Sequence, residues 1–370
     1  MIKNKAFKFR IYPNADQAVL LAKTFGSVRL VFNYYLGEKI RVYESSKETL
    51  AYSKCSKNLT LLKKEKDFLT EIDSIALQQS LRHLDTAYKN FFRDKKVGFP
   101  KFKSKKYHHF SYSTVCVNNN IRLDGGFIKL PKIGQVKIKQ HRAISASYTL
   151  KSATVSKTPT GKYFVSILFE YETEISPSTG IKSIGLDFSM PKLFVSSEGT
   201  VADYPRYFRL AQENLARQQR ILSHRKPGGS NYAKQKRKVA IIHEKVADQR
   251  KDFLHKLSRQ IANDYDIVCI EDLNMGAMAQ CLNFGKSVSD NGWGMFTALL
   301  KYKLEDRGKE LIKVDKWFAS SKTCSVCGHV HKALKLSDRK WECAGCHTVH
   351  DRDSNASVNI KKKGLAAIAV

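Results

Sequence analysis

The sequence has 370 residues, with 65 Lys or Arg against 34 Asp or Glu, a formal charge of +31. Hydrophobic residues make up 42% and aromatics 11%, enough for two or three cores and too much for wholesale disorder. Apolar runs are too short to cross a bilayer, and Met1-Ile2-Lys3-Asn4-Lys5 leads into an alternating strand instead of a signal-peptide core. Export and membrane insertion are therefore excluded and a cytoplasmic place is expected. Positive charge on this scale points to a polyanion, because counterion release rewards each phosphate neutralised; nucleic acid is the expected partner.

Residues 5–12 alternate with strand period and stop at Pro13. From Asp16 to Lys39 the spacing becomes helical, with Val19, Ala22, Val28, Val31, Phe32, Tyr35 and Leu36 as a buried stripe. Further helices are predicted near 56–66 and 74–93. This helical insertion ends in Arg93–Phe110, where Arg93, Lys95, Lys96, Lys101, Lys103, Lys105 and Lys106 interleave with Phe99, Phe102, Tyr107 and Phe110. The mixture suits a phosphate backbone with stacked bases, and equally a solvated loop anchored by core aromatics. Short strands with turn punctuation from about 111 to 172 predict a small β-barrel or sandwich, where the strand at 5–12 is expected to find its partners. Residues 174–180, with Ser176-Pro177-Ser178, read as a linker.

Ser183–Phe188 and Lys192–Ser196 predict a hairpin with an acid inside its first strand. Helical patterning resumes near 205, and a long helix is expected over roughly 232–263. Between residues 205 and 260, fifteen Lys or Arg face four Asp or Glu. Arg217, Arg220, Arg225, Lys226, Lys234, Lys236, Arg237 and Lys238 crowd around the turn Pro227-Gly228-Gly229, a patch suited to phosphates. Tyr265–Asn274 reads as a buried strand ending in carboxylates, followed by a helix near 295–309 and a strand at 311–314.

Four cysteines, Cys55, Cys116, Cys269 and Cys281, are scattered singly. The others form Cys324-x2-Cys327, fifteen residues, then Cys343-x2-Cys346, a spacing that sets four thiolates around a closed structural Zn²⁺ site. His329, His331, His347 and His350 lie close enough to replace a thiolate. Three acids stand out by context: Asp187, Glu271 and Asp353. For each alone, a helix cap, a turn or a surface charge is the preferred explanation. If a βαβ arrangement brings the strands together, converging carboxylates can hold two Mg²⁺ about 3.5–4 Å apart for phosphodiester hydrolysis.

Five ordered blocks, Gly185-Leu186-Asp187, Ile270-Glu271-Asp272-Leu273, Cys324-Ser325-Val326-Cys327-Gly328, Cys343-Ala344-Gly345-Cys346 and Asp351-Arg352-Asp353-Ser354-Asn355-Ala356, resemble the TnpB family. These are insertion-sequence-encoded, RNA-guided endonucleases of the OrfB type, relatives of type V CRISPR effectors. Leu77-Gln78-Gln79-Ser80-Leu81 and Gly98-Phe99-Pro100-Lys101-Phe102-Lys103 extend the resemblance over essentially the whole chain. It implies an α/β plus β protein: an RNase H-like RuvC nuclease domain at 181–318 and 349–370, and an inserted zinc ribbon at 319–348. A wedge β-barrel at 1–12 and 111–175 would precede it, carrying a helical recognition insertion at 13–110.

The resemblance implies that Asp187, Glu271 and Asp353 hold catalytic Mg²⁺, with Asp353 favoured over Asp351. It implies a prokaryotic, nucleoid-associated enzyme that takes a guide RNA from the transposon end and cuts double- and single-stranded DNA targets beside a short motif. Gln78 and Gln79 are placed at that motif, since amides pair bidentately with adenine; two solvated helix glutamines are the plain alternative. Phe188-Ser189 replaces the family's more frequent Leu-Gly, which changes the loop and leaves the acid in place. A nuclease-inactive, RNA-guided repressor and a strand-transferring transposase are the alternative functions. Retention of the three acids opposes the first, and a zinc module between the second and third acids fits the second poorly.

Overall fold

A computed structural model describes residues 1–107, 110–174, 182–281, 285–335 and 337–368. The expected linker at 174–180 lies almost entirely outside them. The chain divides into two compact units, Met1–Thr173 and Glu174–Val370.

In the first unit, β1 (Ile2–Tyr12) is followed by α1 (Ala15–Ser46), α2 (Tyr52–Glu65) and α3 (Ser74–Arg93). Then come β2 (Phe110–Val115), β3 (Arg122–Asp124), β4 (Phe127–Leu130), β5 (Gly134–Lys139), β6 (Thr149–Lys157) and β7 (Tyr163–Glu172). The strands form one antiparallel sheet ordered β2-β6-β7-β1-β5-β4-β3. Alternation in β1 buries Phe7, Phe9 and Ile11, and β1 pairs with β7 and β5, so the N-terminal strand lies inside the sheet and has no open edge. Pro13 ends it. Asn14 then caps α1 in a capping box, Asn14 Oδ1 accepting from Gln17 N at 2.8 Å while Gln17 Oε1 accepts from Asn14 N. Leu21, Phe25, Val28, Val31, Phe32, Tyr35 and Leu36 form its buried stripe. Asp73 caps α3 and also accepts a hydrogen bond from Thr114, tying that helix to β2.

The second unit contains β8 (Ser183–Phe188), β9 (Phe194–Ser196), α4 (Tyr207–Ser223), α5 (Ser230–Asp264), β10 (Ile267–Glu271) and the short α6 (Met275–Cys281) and α7 (Gly285–Asn291). It continues with α8 (Trp293–Glu305), β11 (Glu310–Val314), β12 (Lys340–Glu342), β13 (Val349–Asp351) and α9 (Arg352–Ala366). A four-stranded sheet runs β11-β10-β8-β9, with β10 parallel to both β8 and β11 and β9 antiparallel to β8. One face, through Ile184, Leu186, Val268 and Ile270, packs with Leu254 and Ile261 of α5 and Trp293, Phe296, Leu300 and Leu304 of α8. Coverage of both faces explains the nearly unbroken apolar runs of β8 and β10.

On the other face lies α9, and two glycines set how close it comes. A Cβ on Gly185 would collide with the Ser357 carbonyl and lie 2.8 Å from Lys361 N. A Cβ on Gly364 would strike Cys269 Sγ and lie 2.9 Å from its Cβ. The helix therefore rests directly on β8 through its middle turns and on β10 near its C-terminal end. Gly185→Ala is expected to cost about 3 kcal/mol, because it overpacks against backbone that cannot rotate aside, and to lift the middle turns of α9 off the strand. Denaturant unfolding checks this; a loss below about 0.5 kcal/mol would contradict the close packing.

Candidate metal centres

The pairs Gly185–Cys269 and Leu186–Ile270 fix the register between β8 and β10. Asp187 and Glu271 are the next residues along, so they stand side by side at the carboxyl ends of two parallel strands, on the face that α9 covers. Asp351 caps α9, its Oδ1 accepting from Ser354 N at 3.0 Å, and Asp353 follows in the first turn. Burial drives the Asp187 carboxyl well above its ordinary pKa, and the charges of Glu271 and Asp353 push it further; Arg352 opposes them, and Asp351 adds a smaller push. Two acids far apart from it in sequence thus act on the Asp187 carboxyl. Burial likewise raises Glu271, against a hydrogen bond donated by the Ser320 hydroxyl. Arg339 reaches Asp353 at 3.5 Å.

Crowding acids in a poorly hydrated place is costly unless a cation answers the charge. Oxygen donors of this kind suit Mg²⁺, which takes one or two carboxylates and keeps several waters. Among the described residues, the ligand atoms of Cys324, Cys327, Cys343 and Cys346 all lie within 4.8 Å of one another.

The cysteines fit zinc by dimension. Cys324 and Cys346 Sγ are 3.6 Å apart and Cys327 and Cys343 Sγ 3.5 Å, close to the edge of about 3.8 Å expected for a tetrahedron of 2.3 Å Zn–S bonds. Leu334 and Trp341 cover the cluster. His350 is not needed as a ligand: its Nε2 lies 3.0 Å from Cys324 Sγ, the place of a group that supports a metal-bound thiolate, and burial lowers its pKa, which favours the neutral ring. His347 pairs instead with Glu342 at 3.0 Å.

Arg217 and Arg220 lie exposed on α4, and Lys236, Arg237 and Lys238 on α5. Gln235, buried between these helices, donates to Gln218 O at 2.9 Å and to its side-chain oxygen at 2.8 Å, fixing the hairpin that displays the cations. In the first unit Lys101 is exposed. Lys103 is held: both its backbone groups bond the Asn33 amide, at 2.8 and 2.9 Å, and its ammonium stands 3.8 Å over the Phe32 ring. Burial of that end lowers its pKa. Gln78 and Gln79 open into different grooves of the helical layer, Gln78 beside Lys63 and Lys64 and Gln79 beside Tyr52, Arg82 and Lys89.

Two further features carry no sequence signature of their own. Trp317 is 82% exposed, just past Val314, the strand partner of Glu271. Ser320 and its partners Asn355 and Asn359 are buried around Glu271's hydrogen bond.

Residues 166–282 match a family model described as "Probable transposase" (OrfB_IS605), 293–360 one described as "Cas12f1-like, TNB domain", and 1–48 a "Helix-turn-helix domain". The last stretch folds here as β1 and the single helix α1. A Streptomyces pristinaespiralis protein named "Putative RNA-guided DNA endonuclease" is 37% identical over 368 residues, covering 99% of this chain and 90% of that protein. An Escherichia coli K12 protein of the same name, InsQ, is 32% identical, covering 100% of this chain and 94% of its own length. The fold is shared with the protein in a cryo-EM structure of a Cas12f1–sgRNA–target DNA complex, with a TM-score of 0.64 over 97% of this chain and 99% of that one at 13% identity.

Proposed function

The chain belongs to the TnpB family of insertion-sequence-encoded RNA-guided DNA endonucleases, and from that premise we propose that it cuts DNA at sites chosen by a transposon-derived RNA, using Asp187, Glu271 and Asp353 to hold two catalytic Mg²⁺. The observation carrying this reading is the placement of Asp187 and Glu271 at the ends of adjacent parallel strands, with Glu271 and Asp353 of α9 both acting on the Asp187 carboxyl. Mg²⁺ bound there would activate water and stabilise charge on the phosphodiester. The chain's own residues do the rest. β8 and β10 set two carboxylates in register, α9 delivers the third, and the exposed Trp317 offers an indole face to a base of the strand being cut. Asp351 is occupied as the cap of α9, which favours Asp353 as the ligand.

The second unit corresponds in this reading to a RuvC nuclease of RNase H-like fold at 181–318 and 349–370, with the zinc ribbon at 319–348. The first corresponds to a wedge barrel carrying the recognition helices. Sequence choice would come from base pairing, while the protein reads a short adjacent motif and the shape of the heteroduplex. A purified complex with guide RNA should linearise a matched plasmid in Mg²⁺ and leave it intact in EDTA. Cutting that ignores the RNA sequence would overturn the reading.

The α4–α5 hairpin is assigned to phosphates of the guide or heteroduplex. Replacing Lys236, Arg237 and Lys238 together should flatten the salt dependence of RNA affinity by about one unit of slope per lost contact; parallel lines in a salt series would refute the assignment. For motif reading, Gln79→Ala should broaden the accepted flank in a randomised-flank depletion assay. An unchanged flank profile would leave Gln79 a structural or solvent-facing residue.

A further inference from the structure

We propose that the first cysteine knuckle is the positioning device of the catalytic centre: Ser320, locked by two asparagines of α9 and by the zinc site, fixes the carboxylate of Glu271. The proposal rests on the reading of Glu271 as a ligand of the catalytic Mg²⁺. It goes beyond it by assigning the zinc module a task inside that centre.

The Ser320 hydroxyl donates to Glu271 Oε1. Ser320 itself has little freedom, because its carbonyl accepts from Asn359 Nδ2 at 2.8 Å. Thr323, next to the first zinc ligand, has its carbonyl bonded by Asn359 at 2.6 Å and by Asn355 at 2.8 Å. Asn355 Oδ1 in turn accepts from Ser325 N at 2.9 Å. The segment 320–325 is thereby fastened to one face of α9, two residues past Asp353. At its far end Cys324 is held by the cluster and by His350, which precedes the Asp351 cap.

Two of the three acids therefore hang from one rigid frame, Asp353 from the first turn of α9 and Glu271 from the serine clasped to that helix. Ser320, Asn355, Asn359 and His350 are all buried, so the frame is shielded from competing water. A carboxylate that must meet a hard cation gains affinity when a partner fixes its rotamer beforehand, and removing such a partner costs metal sites roughly 10–100-fold in affinity.

The test titrates Mn²⁺ by calorimetry into the full-length protein with its cysteine site saturated with zinc. Ser320→Ala should bind Mn²⁺ about 10–100-fold more weakly than wild type while retaining one zinc per chain, and Ser320→Thr, which keeps the hydroxyl, should bind within about threefold of wild type. Wild-type Mn²⁺ affinity in Ser320→Ala would overturn the proposal. So would equal losses in Ala and Thr variants, which would assign the effect to packing. Glu271→Gln separates the two levels of the argument. If it weakens Mn²⁺ while Ser320→Ala does not, only the positioning role fails. If Mn²⁺ binding is undetectable in wild type or unchanged by Glu271→Gln, the carboxylate metal site fails with it.

Discussion

Asp187→Asn should abolish cleavage, a loss of at least about 10³-fold, while making the metal-free protein more stable. In the fold the Asp187 carboxyl is raised well above its ordinary pKa, first by burial and then by Glu271 and Asp353. An acid whose folded pKa exceeds its unfolded value binds more protons in the folded state. Its presence therefore lowers stability as pH rises above the ordinary carboxylate range, and the penalty is fully expressed above the folded pKa. Asparagine removes that charge. The variant should melt higher than wild type at neutral pH without divalent cations, and the gap should close at acidic pH, where the aspartic acid is protonated. Glu271→Gln should follow the same sign, since burial raises it too. Target binding should survive in both, as the exposed cations of α4 and α5 are untouched. A variant that cuts normally, or that melts lower than wild type in EDTA at neutral pH, would contradict this account of Asp187.

Zinc removal carries the second large effect. Structural zinc contributes about 10–16 kcal/mol in small modules, and here the cluster also anchors the segment that meets α9. Cys324→Ser should abolish stoichiometric zinc after dialysis and lower melting by about 10 °C or more, since each kcal/mol moves the midpoint of a domain this size by about 2–4 °C. His350→Ala, which removes only the group beside Cys324 Sγ, should keep the metal and weaken its retention against a chelator. Undiminished zinc and unchanged melting in Cys324→Ser would remove the tetrahedral site.

The legibility of this fold varies with the physics of each part. β8, β10, α3 and α5 stand out because each buries an uninterrupted face, and periodicity then places them to within a few residues. The helix expected to end near Lys39 continues to Ser46, because no breaker interrupts it before Lys47 adopts a left-handed conformation as its cap; its apolar stripe thins after Leu36, which is what the pattern registers. α6 and α7 have seven residues each, two turns that are too short to show a stripe. The approach of Asp187 to Glu271 is legible because each acid follows an apolar run, but the face they share depends on the pairing register of β8 with β10, which no local pattern sets. Ser320 lies in a run of small polar residues, 49 positions from the carboxylate it bonds. No local rule announces a contact of that separation. The placing of the Lys103 ammonium over Phe32 is likewise invisible in a basic run, where a lysine reads simply as a candidate phosphate contact.

The central claim is that Asp187, Glu271 and Asp353 form one cutting centre obedient to an RNA. The most direct test loads wild type, Asp353→Asn and Asp351→Asn with the same guide RNA and follows matched and mismatched plasmids in Mg²⁺. The account predicts cutting of the matched plasmid alone by wild type, none by Asp353→Asn, and retained cutting by Asp351→Asn, since an asparagine oxygen can still accept from Ser354 N as the cap of α9. Retained cutting by Asp353→Asn with loss in Asp351→Asn would move the third ligand to the cap residue, and cutting by both variants would contradict the centre altogether.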